Sequence, residues 1–137
     1  MVLKRRTRSS LKNTLDQVFS RLIRLRDTDS TGYGPCITCG KVVFWKDADA
    51  GHFITRTCVS TRWDPLNVNM QCKGCNMAPA GRQYEHGLAI DRKHGEGTAD
   101  AIVLKSKITA KYNAQDLAAL ISIYREHIGN LESAKDI

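Results

Sequence analysis

The sequence has no apolar run that approaches the ~18 residues of a membrane-spanning helix, so we expect no membrane segment. Its N-terminus is basic but continues into polar residues, which is not the pattern of an export signal. A cytoplasmic location is therefore expected. The 137 residues contain no internal repeat and no low-complexity segment, and they are expected to form one domain, with or without an appended arm.

Acidic residues are nearly absent from the N-terminal segment. Residues 1–26 contain eight Lys or Arg and a single acid, Asp16, and their charge of +7 equals the net charge of the whole chain. A segment of this kind favours binding to a polyanion such as DNA, and a solubilising basic tail is the alternative. The candidates for DNA contacts in this segment are Lys4, Arg5, Arg6, Arg8, Arg21 and Arg24.

The five cysteines are an odd number, so they cannot all pair within one chain. Four of them form two Cys-x2-Cys pairs, Cys36 with Cys39 and Cys72 with Cys75, separated by 32 residues. This spacing is typical of a closed tetrahedral zinc site, and the absence of an export signal disfavours the disulfide alternative. We predict a structural zinc ion with four cysteine ligands, and we assign Cys58 only a packing role.

Apolar periodicity predicts a long helix near each end of the chain. The first covers about 10–26 with Ser9 or Ser10 as its cap, and the second covers about 114–128, where Gly129 ends it. Each helix has one apolar face, which either core packing or a dimer interface would explain. We divide the chain into a basic helical arm, a zinc-bound core, and a C-terminal helix with a tail that frays, over residues 1–32, 33–106 and 107–137.

Between the terminal helices the pattern predicts shorter elements. Residues 27–35 are expected to form a loop, and strands are expected at 41–45 and 51–56. Alternation along the second strand places His52 and Arg56 on one face. Two further helices are predicted after the last cysteine, over 82–94, with Tyr84, Leu88 and Ile90 facing inward, and over 98–105.

One histidine, His52, lies between the two cysteine pairs. A neutral imidazole can take a proton from water, although a lone histidine is more often structural. Asp49 and Asn76 offer a carboxylate and an amide oxygen, which suit a catalytic Mg2+ or Mn2+. Arg56 can clamp a neighbouring phosphate, and a surface salt bridge is an equal alternative. The DNA-binding candidates outside the N-terminal segment are Arg56, Arg62 and Arg82.

Three motifs together resemble the zinc-containing branch of the HNH endonucleases: C-I-T-C-G, A-G-H-F-I-T-R and R-W-D-P-L-N-V-N-M-Q-C-K-G-C-N. Within that branch, the chain resembles the NinG (Rap) recombination endonucleases of lambdoid phages over about residues 34–105, and it is similar in plan to phage endonuclease VII. The resemblance implies an α+β fold, namely a small zinc-stapled ββα-metal (HNH, or His-Me finger) core with flanking N- and C-terminal helices.

The resemblance also implies roles for individual residues. His52 takes the position of the general base, Asn67 that of the central orienting asparagine, and Asn76 that of the last ligand to the catalytic cation. Many HNH enzymes carry Asp or His directly before the base, as a metal ligand. Here that residue is Gly51, which has no side chain to offer, and Asp49 is the nearest acid.

The function that the resemblance implies is cleavage of branched recombination DNA, such as Holliday junctions and D-loops, by metal-assisted phosphodiester hydrolysis. Two coordinated nicks across a junction favour a homodimer. If the chain is phage-encoded, the expected location becomes the cytoplasm of the bacterial host. Two alternatives stay open: a non-catalytic zinc-ribbon DNA-binding or adaptor protein, and a sequence-specific HNH nicking enzyme.

Overall fold

The computed structural model describes residues 6–137, and its architecture is mixed α+β. A long helix lies near each end of the described chain, and four short strands lie between them. The helices are α1 (Arg8–Arg26), α2 (Val59–Arg62), α3 (Lys73–Met77), α4 (Gln83–His94), α5 (Thr98–Ser106) and α6 (Ala114–Lys135). The strands are β1 (Tyr33–Pro35), β2 (Val42–Phe44), β3 (Ala48–His52) and β4 (Val68–Cys72). Within residues 6–137, no helix combines the length and apolar composition needed to cross a membrane.

Helices α1 and α6 pack against each other and form most of the main hydrophobic core. The rings of Phe19 and Tyr124 meet across this interface with their centroids 5.1 Å apart. Core packing therefore accounts for the apolar faces of both terminal helices. The buried residues of this core are Leu11, Leu15, Phe19, Leu22, Ile23 and Leu25 of α1, Leu117, Ile121, Tyr124 and Ile128 of α6, and Trp45, Trp63 and Val68 from the segment between them.

The predicted N-terminal helix is confirmed, but its first turn lies earlier than expected. It begins at Arg8, and its cap is Thr7, whose Oγ1 accepts a hydrogen bond from the backbone N–H of Ser10 at 3.0 Å. The choice of Ser9 or Ser10 as the cap was therefore wrong. Threonine and serine hydroxyls cap helices by the same hydrogen bond, so local sequence alone does not choose among three neighbouring candidates.

The predicted C-terminal helix is also confirmed, with its capping box of Asn113 and Asp116. It continues through Gly129 to Lys135, so the predicted end at Gly129 and the predicted fraying were wrong. A glycine inside a helix costs only about 1 kcal/mol. Tertiary contacts offset this cost, because the Lys135 ammonium donates to the carbonyl of Leu25 at 2.6 Å and so holds the last turn against the end of α1.

The strands form two separate antiparallel pairs. In the first, β1 pairs with β2 and Gly34 lies opposite Val43, so the end of the predicted loop over 27–35 is a strand instead. A Tyr-Gly-Pro segment has no strand pattern of its own, and its pairing partner sets its conformation. In the second pair, β3 runs against β4, and α3 follows β4 directly.

Strand β3 lies earlier in the chain than the predicted strand over 51–56. Its partner β4 pairs with it from Ala48 to His52, and such long-range pairing is invisible to local alternation. Arg56 lies in the turn beyond the strand, so the predicted common strand face for His52 and Arg56 was wrong. Tertiary structure nevertheless brings both side chains to one cleft.

Helix α4 confirms the predicted helix over 82–94, and Gly95 follows it as expected. Ile90 is buried as predicted, but Tyr84 and Leu88 are 76% and 45% exposed, so their inward assignment was wrong. The helix instead turns His86, Gly87 and Ala89 inward. Gly87 lies against Phe53, because a Cβ there would stand 2.9 Å from the Phe53 ring, so the small residues of α4 set which face packs.

Candidate functional site

Four cysteine thiols form a cluster at the base of the β1–β2 hairpin and the end of β4. The Sγ atoms of Cys36, Cys39, Cys72 and Cys75 all lie within 4.8 Å of one another, and those of Cys39 and Cys72 are 3.8 Å apart. Four sulfurs at the usual Zn–S distance of about 2.3 Å stand about 3.8 Å from each other in a tetrahedron. The cluster can therefore hold one zinc ion, as the spacing predicted.

Local hydrogen bonds shape the first Cys-x2-Cys turn. Cys36 accepts a backbone hydrogen bond from Gly40 at 2.9 Å, and Gly40 adopts a φ of 76°, which glycine tolerates best. Burial raises the pKa of the Cys36 thiol, but hydrogen bonds from the Thr38 hydroxyl and neighbouring backbone N–H groups outweigh it and lower this pKa to about 6. A thiolate is the form that binds zinc. Cys58 lies outside the cluster, before α2.

An open cleft of about 750 Å³ lies between α1, β3 and the segment that follows α3. It brings together four of the residues singled out from the sequence, which are Asp49, His52, Arg56 and Asn76. The other residues that line it are Asp16, Phe19, Ser20, Ala50, Phe53, Thr55, Ala80, Gly81 and Gln83. A histidine, a carboxylate, an amide and an arginine thus share one solvent-accessible space.

His52 stands at the end of β3 with its ring orientation fixed by one hydrogen bond. Its Nε2 lies 2.9 Å from the carbonyl oxygen of Arg62, and since a carbonyl can only accept, Nε2 carries the proton. The lone pair of the neutral ring is then on Nδ1. Burial, helped by the nearby charge of Arg56, lowers the pKa of His52, so the ring is neutral at pH 7.

Asp49 and Asn76 are in direct contact. The Asn76 Nδ2 donates to Asp49 Oδ2 at 3.1 Å, and the Lys73 ammonium donates to Asp49 Oδ1 at 3.0 Å. The two residues come from β3 and α3, and the zinc cysteines at the start of α3 bring that helix beside the strand. Gly51 contributes no side chain, so Asp49 is the carboxylate that β3 brings to the cleft.

Comparison with known proteins places this chain in a family. The family model described as Bacteriophage Lambda NinG protein matches residues 2–134. The chain belongs to the NinG family. Two curated relatives, the ninG proteins of Escherichia phage 933W and Salmonella phage P22, are 25% and 26% identical to it over 122 residues, which are 87% of this chain.

This chain spans only 57% and 56% of the length of those two NinG relatives, just over half of each. No solved structure matches it. The family assignment therefore rests on sequence, and the cleft and the cysteine cluster are features of this chain. Both lie within the part of the chain that the family model covers.

Asn67 lies behind the cleft rather than in it, and it is fully buried. Its Oδ1 accepts from the backbone N–H of Ile54 at 2.8 Å, and its Nδ2 donates to the carbonyls of Ile54 and Thr61, both at 3.0 Å. One side chain thus ties together both ends of the loop that follows His52. The orienting role expected for Asn67 in catalysis stays a prediction.

Asp16 is a cleft residue that sequence reasoning missed. It lies on α1 and accepts hydrogen bonds from Arg62 Nε at 3.1 Å, Arg62 Nη2 at 2.6 Å and Trp63 Nε1 at 2.9 Å. Arg56 Nη1 lies 3.9 Å from it. Its status as the single acid among eight basic residues was the available signal, because an acid surrounded by basic residues has many possible ion-pair partners.

The basic residues predicted to contact DNA differ in whether other residues of the chain already bind their side chains. Arg21 pairs with Glu132 at 2.8 Å, and Arg24 donates to the carbonyl of Trp45 at 3.0 Å. Arg62 is held by Asp16, so its charge is largely used within the chain. The exposed candidates are Arg6, Arg8, Arg21, Arg56 and Arg82, and Arg21 is the one among them that pairs with Glu132. Lys4 and Arg5 lie outside the described residues.

Proposed function

We propose that this protein is a metal-dependent DNA endonuclease of the HNH type that cuts branched recombination intermediates. The observation that carries the proposal is the cleft in which Asp49, His52, Arg56 and Asn76 meet. These side chains supply a base, two oxygen-bearing groups for a cation and a cationic phosphate clamp. A purely DNA-binding zinc ribbon needs none of them to converge on an open space.

In the proposed reaction, His52 acts as the general base. Its Nδ1 takes a proton from water, and the water oxygen attacks the phosphorus in line with the 3′-oxygen. The P–O3′ bond breaks, which leaves a 5′-phosphate and a 3′-oxyanion that solvent protonates. The hydrogen bond from Nε2 to the Arg62 carbonyl keeps the accepting nitrogen in place and stabilises the imidazolium as it forms.

Asp49 and Asn76 fit a hard divalent cation by donor type. As they stand, the amide N–H of Asn76 faces the Asp49 carboxylate. A half-turn of the Asn76 carboxamide exchanges its nitrogen and oxygen and presents two oxygens to the same point. A Mg2+ or Mn2+ ion bound there would polarise the scissile phosphate and stabilise the leaving 3′-oxygen. Asp49 thereby takes the role that Gly51 cannot fill.

The order of elements around the cleft supports the HNH assignment. The antiparallel pair of β3 and β4 is followed directly by α3, which is a ββα arrangement. The proposed base lies on the first strand, and the proposed last metal ligand, Asn76, lies on the helix. The zinc cluster joins the end of the second strand to that helix, so we propose that zinc stabilises this geometry without taking part in the reaction.

DNA is the proposed partner because of the chain's +7 charge and the exposed arginines at and beside the cleft. Arg56 is 63% exposed next to His52, and Arg82 is exposed beside the cleft residue Gly81. Resolution of a four-way junction requires two nicks, so we propose that a homodimer acts on branched DNA. The proposed location is the cytoplasm of the bacterial host.

A nicking assay tests the proposal. Wild-type protein and His52→Ala are incubated with a four-way junction and with linear duplex of matched sequence, each with Mg2+ or Mn2+. We expect the wild type to nick the junction in preference to the duplex, and we expect His52→Ala to lose at least about a hundredfold in rate. His127→Ala is the matched control, since His127 is exposed on α6.

Each contrary result has its own meaning. Equal cleavage by wild type and His52→Ala would remove His52 from the mechanism. Preference for the linear duplex would favour the sequence-specific nicking enzyme. Binding of the junction without cleavage of any DNA would favour the zinc-ribbon adaptor.

A further inference from the structure

One wall of the cleft is a backbone turn in an unusual conformation. Ala80, Gly81 and Arg82 have φ angles of 52°, 57° and 54°, so three consecutive residues are left-handed. Only glycine adopts this conformation without cost, and two of the three are not glycine. Such a turn persists only when its surroundings hold it in place. Ala80 and Gly81 both line the cleft, so whatever holds the turn also shapes the site.

Two glutamines hold this turn. Gln71 on β4 donates from Nε2 to the carbonyl of Gly81 at 3.1 Å, and Gln83 donates from Nε2 to the carbonyl of Phe53 at 3.0 Å. The first bond fixes the middle of the turn to the strand pair, and the second fixes its far end to the residue after His52. Gln71 is the more constrained of the two, because it is fully buried whereas Gln83 is exposed.

The Gln71 side chain also connects the turn to the zinc cluster. Its Nε2 lies 3.3 Å from Thr38 Oγ1, and this oxygen lies 3.2 Å from Cys36 Sγ. Its Oε1 is buried and has no hydrogen-bond donor within residues 6–137. Burial of an unpaired amide oxygen costs stability, and such a group needs an explanation. Here the explanation is that the Gln71 Nε2 must face the Gly81 carbonyl and Thr38 Oγ1, which turns Oε1 toward a place where the described residues offer no donor.

Gly51 is the residue that makes room for Gln71. A Cβ built on Gly51 would stand 1.8 Å from Gln71 Oε1 and 2.6 Å from Gln71 Cδ. Gly51 lies inside a regular strand and has no positive φ, so space rather than backbone conformation requires a glycine there. The glycine that stands before His52 and the glutamine on the facing strand therefore form one interlocking pair.

We propose that Gln71 is a positioning residue of the cleft, which holds the left-handed turn Ala80–Arg82 against β3 through its carboxamide and requires Gly51 in order to do so. Its effect on cleavage rests on the function proposed above, whereas its effect on the turn does not. Loss of the clamp lets the cleft wall move, with Arg82 at its end, but leaves Arg56 and the basic N-terminal segment in place to contact phosphate. The expected kinetic effect is therefore on kcat rather than on the affinity for DNA.

A double-mutant cycle tests the interlock. The variants are Gly51→Ala, Gln71→Ala and the two combined, and Gln115→Ala on the exposed start of α6 is the control. The readout is backbone hydrogen exchange of residues 79–83, measured by mass spectrometry, with zinc content measured alongside. We expect exchange about tenfold faster in Gln71→Ala and in Gly51→Ala, with α1 and α6 unchanged.

The double variant is the decisive member, because Gln71→Ala removes all three of the Gln71 atoms that would contact a Cβ on Gly51. Gly51→Ala should therefore add nothing in that background. Additive effects of the two substitutions, or unchanged exchange at 79–83 in Gln71→Ala, would overturn the proposal. If Gln71→Ala fails to fold, Gln71→Met keeps the volume without the hydrogen bonds and gives the same exchange test.

Junction cleavage supplies the second readout. We expect kcat to fall about tenfold in Gln71→Ala, with the Kd for junction DNA within about twofold of wild type. A change in Kd alone would overturn the assignment of Gln71 as a positioning residue. If wild-type protein cuts no DNA, the function proposed above fails, and the exchange cycle still decides whether Gln71 holds the turn.

Discussion

The two halves of this molecule are stabilised in different ways. The helical half, α1 and α6, buries apolar side chains against each other. The cleft half, which is the segment from β1 to α5, buries five polar residues at 0% exposure: Thr61, Asn67, Asn69, Gln71 and His86. Its own apolar cluster is small and consists of Phe53, Ile90, Ala99 and Ile102.

The difference teaches how the site is held. A buried apolar side chain contributes about 1.5–3 kcal/mol, whereas a hydrogen bond adds only about 1 kcal/mol net. Hydrogen bonds are directional, however, and Asn69 Oδ1 alone accepts from Arg26 at 3.0 Å, Lys93 at 3.0 Å and His94 at 3.1 Å. The geometry of the cleft half thus relies on directional contacts, and we expect its stability to depend on metal binding at the cysteine cluster.

The largest effect is expected from loss of a zinc ligand. Cys72→Ser should abolish zinc binding and unfold the cleft half, because metal binding worth about 10 kcal/mol is coupled to folding in small zinc sites. Zinc content and thermal unfolding measure the effect, with Cys58→Ser as the control outside the cluster. If Cys72→Ser melted at the same temperature as the wild type, the stability of the cleft half would not depend on zinc.

The helical half should respond to a cavity without losing zinc. Leu15 is fully buried between α1 and α6, and Leu15→Ala should lower the free energy of unfolding by about 2–5 kcal/mol. Denaturant unfolding measures this loss, and Leu104→Ala at a residue that is 67% exposed is the control. If Leu15→Ala also lost zinc, the stability of the cleft half would depend on the helical core as well, and the two halves would not be stabilised separately.

Acid should act mainly on the cleft half through His86. Burial lowers the pKa of His86 from 6.5 to about 4, and the nearby His52 and Lys93 add to this effect. As pH falls below 6.5 the unfolded chain takes up the proton first, so stability falls until about pH 4, by roughly 3 kcal/mol. Urea unfolding at pH 7 and pH 4 should show this contribution, and His86→Gln should lack it.

His127→Gln is the control for that experiment, because His127 is exposed on α6 in the helical half. It should keep the wild-type dependence on pH. If the fall in stability between pH 7 and pH 4 disappeared in His127→Gln and persisted in His86→Gln, its assignment to His86 would be wrong.

The smallest effect is electrostatic and lies within the cleft. Burial and the charge of Arg56 both lower the pKa of His52, so Arg56→Gln should raise that pKa. The acid limb of the cleavage rate should move to higher pH by the same amount, because the base must be neutral. NMR titration of His52 measures this without any activity, and Arg21→Gln is the distant control. An unchanged His52 pKa would mean that Arg56 acts on phosphate alone.

Several features were predictable because they depend on neighbours in the sequence. Apolar residues at three- and four-residue steps predicted α1 and α6, since one helix face must be buried whatever covers it. The Cys-x2-Cys pairs predicted a cluster of four cysteines that can hold zinc, since each pair can bind one ion from one side. The predictions that failed depend on distant partners, such as the start of β3, the burial of α4 and the end of α6.

Residue type and spacing were sufficient to select His52, Asp49, Arg56 and Asn76 as candidates, because their chemistry is intrinsic to each side chain. Their convergence on one cleft required the strand pairing and the cysteine cluster, which join segments more than twenty residues apart. The same holds for Asp16, which reaches the cleft from the first helix, and for Gln71, whose carboxamide fills the space above Gly51. A side chain's chemistry is local, but its partners are set by packing, and only the folded chain brings those partners within bonding distance.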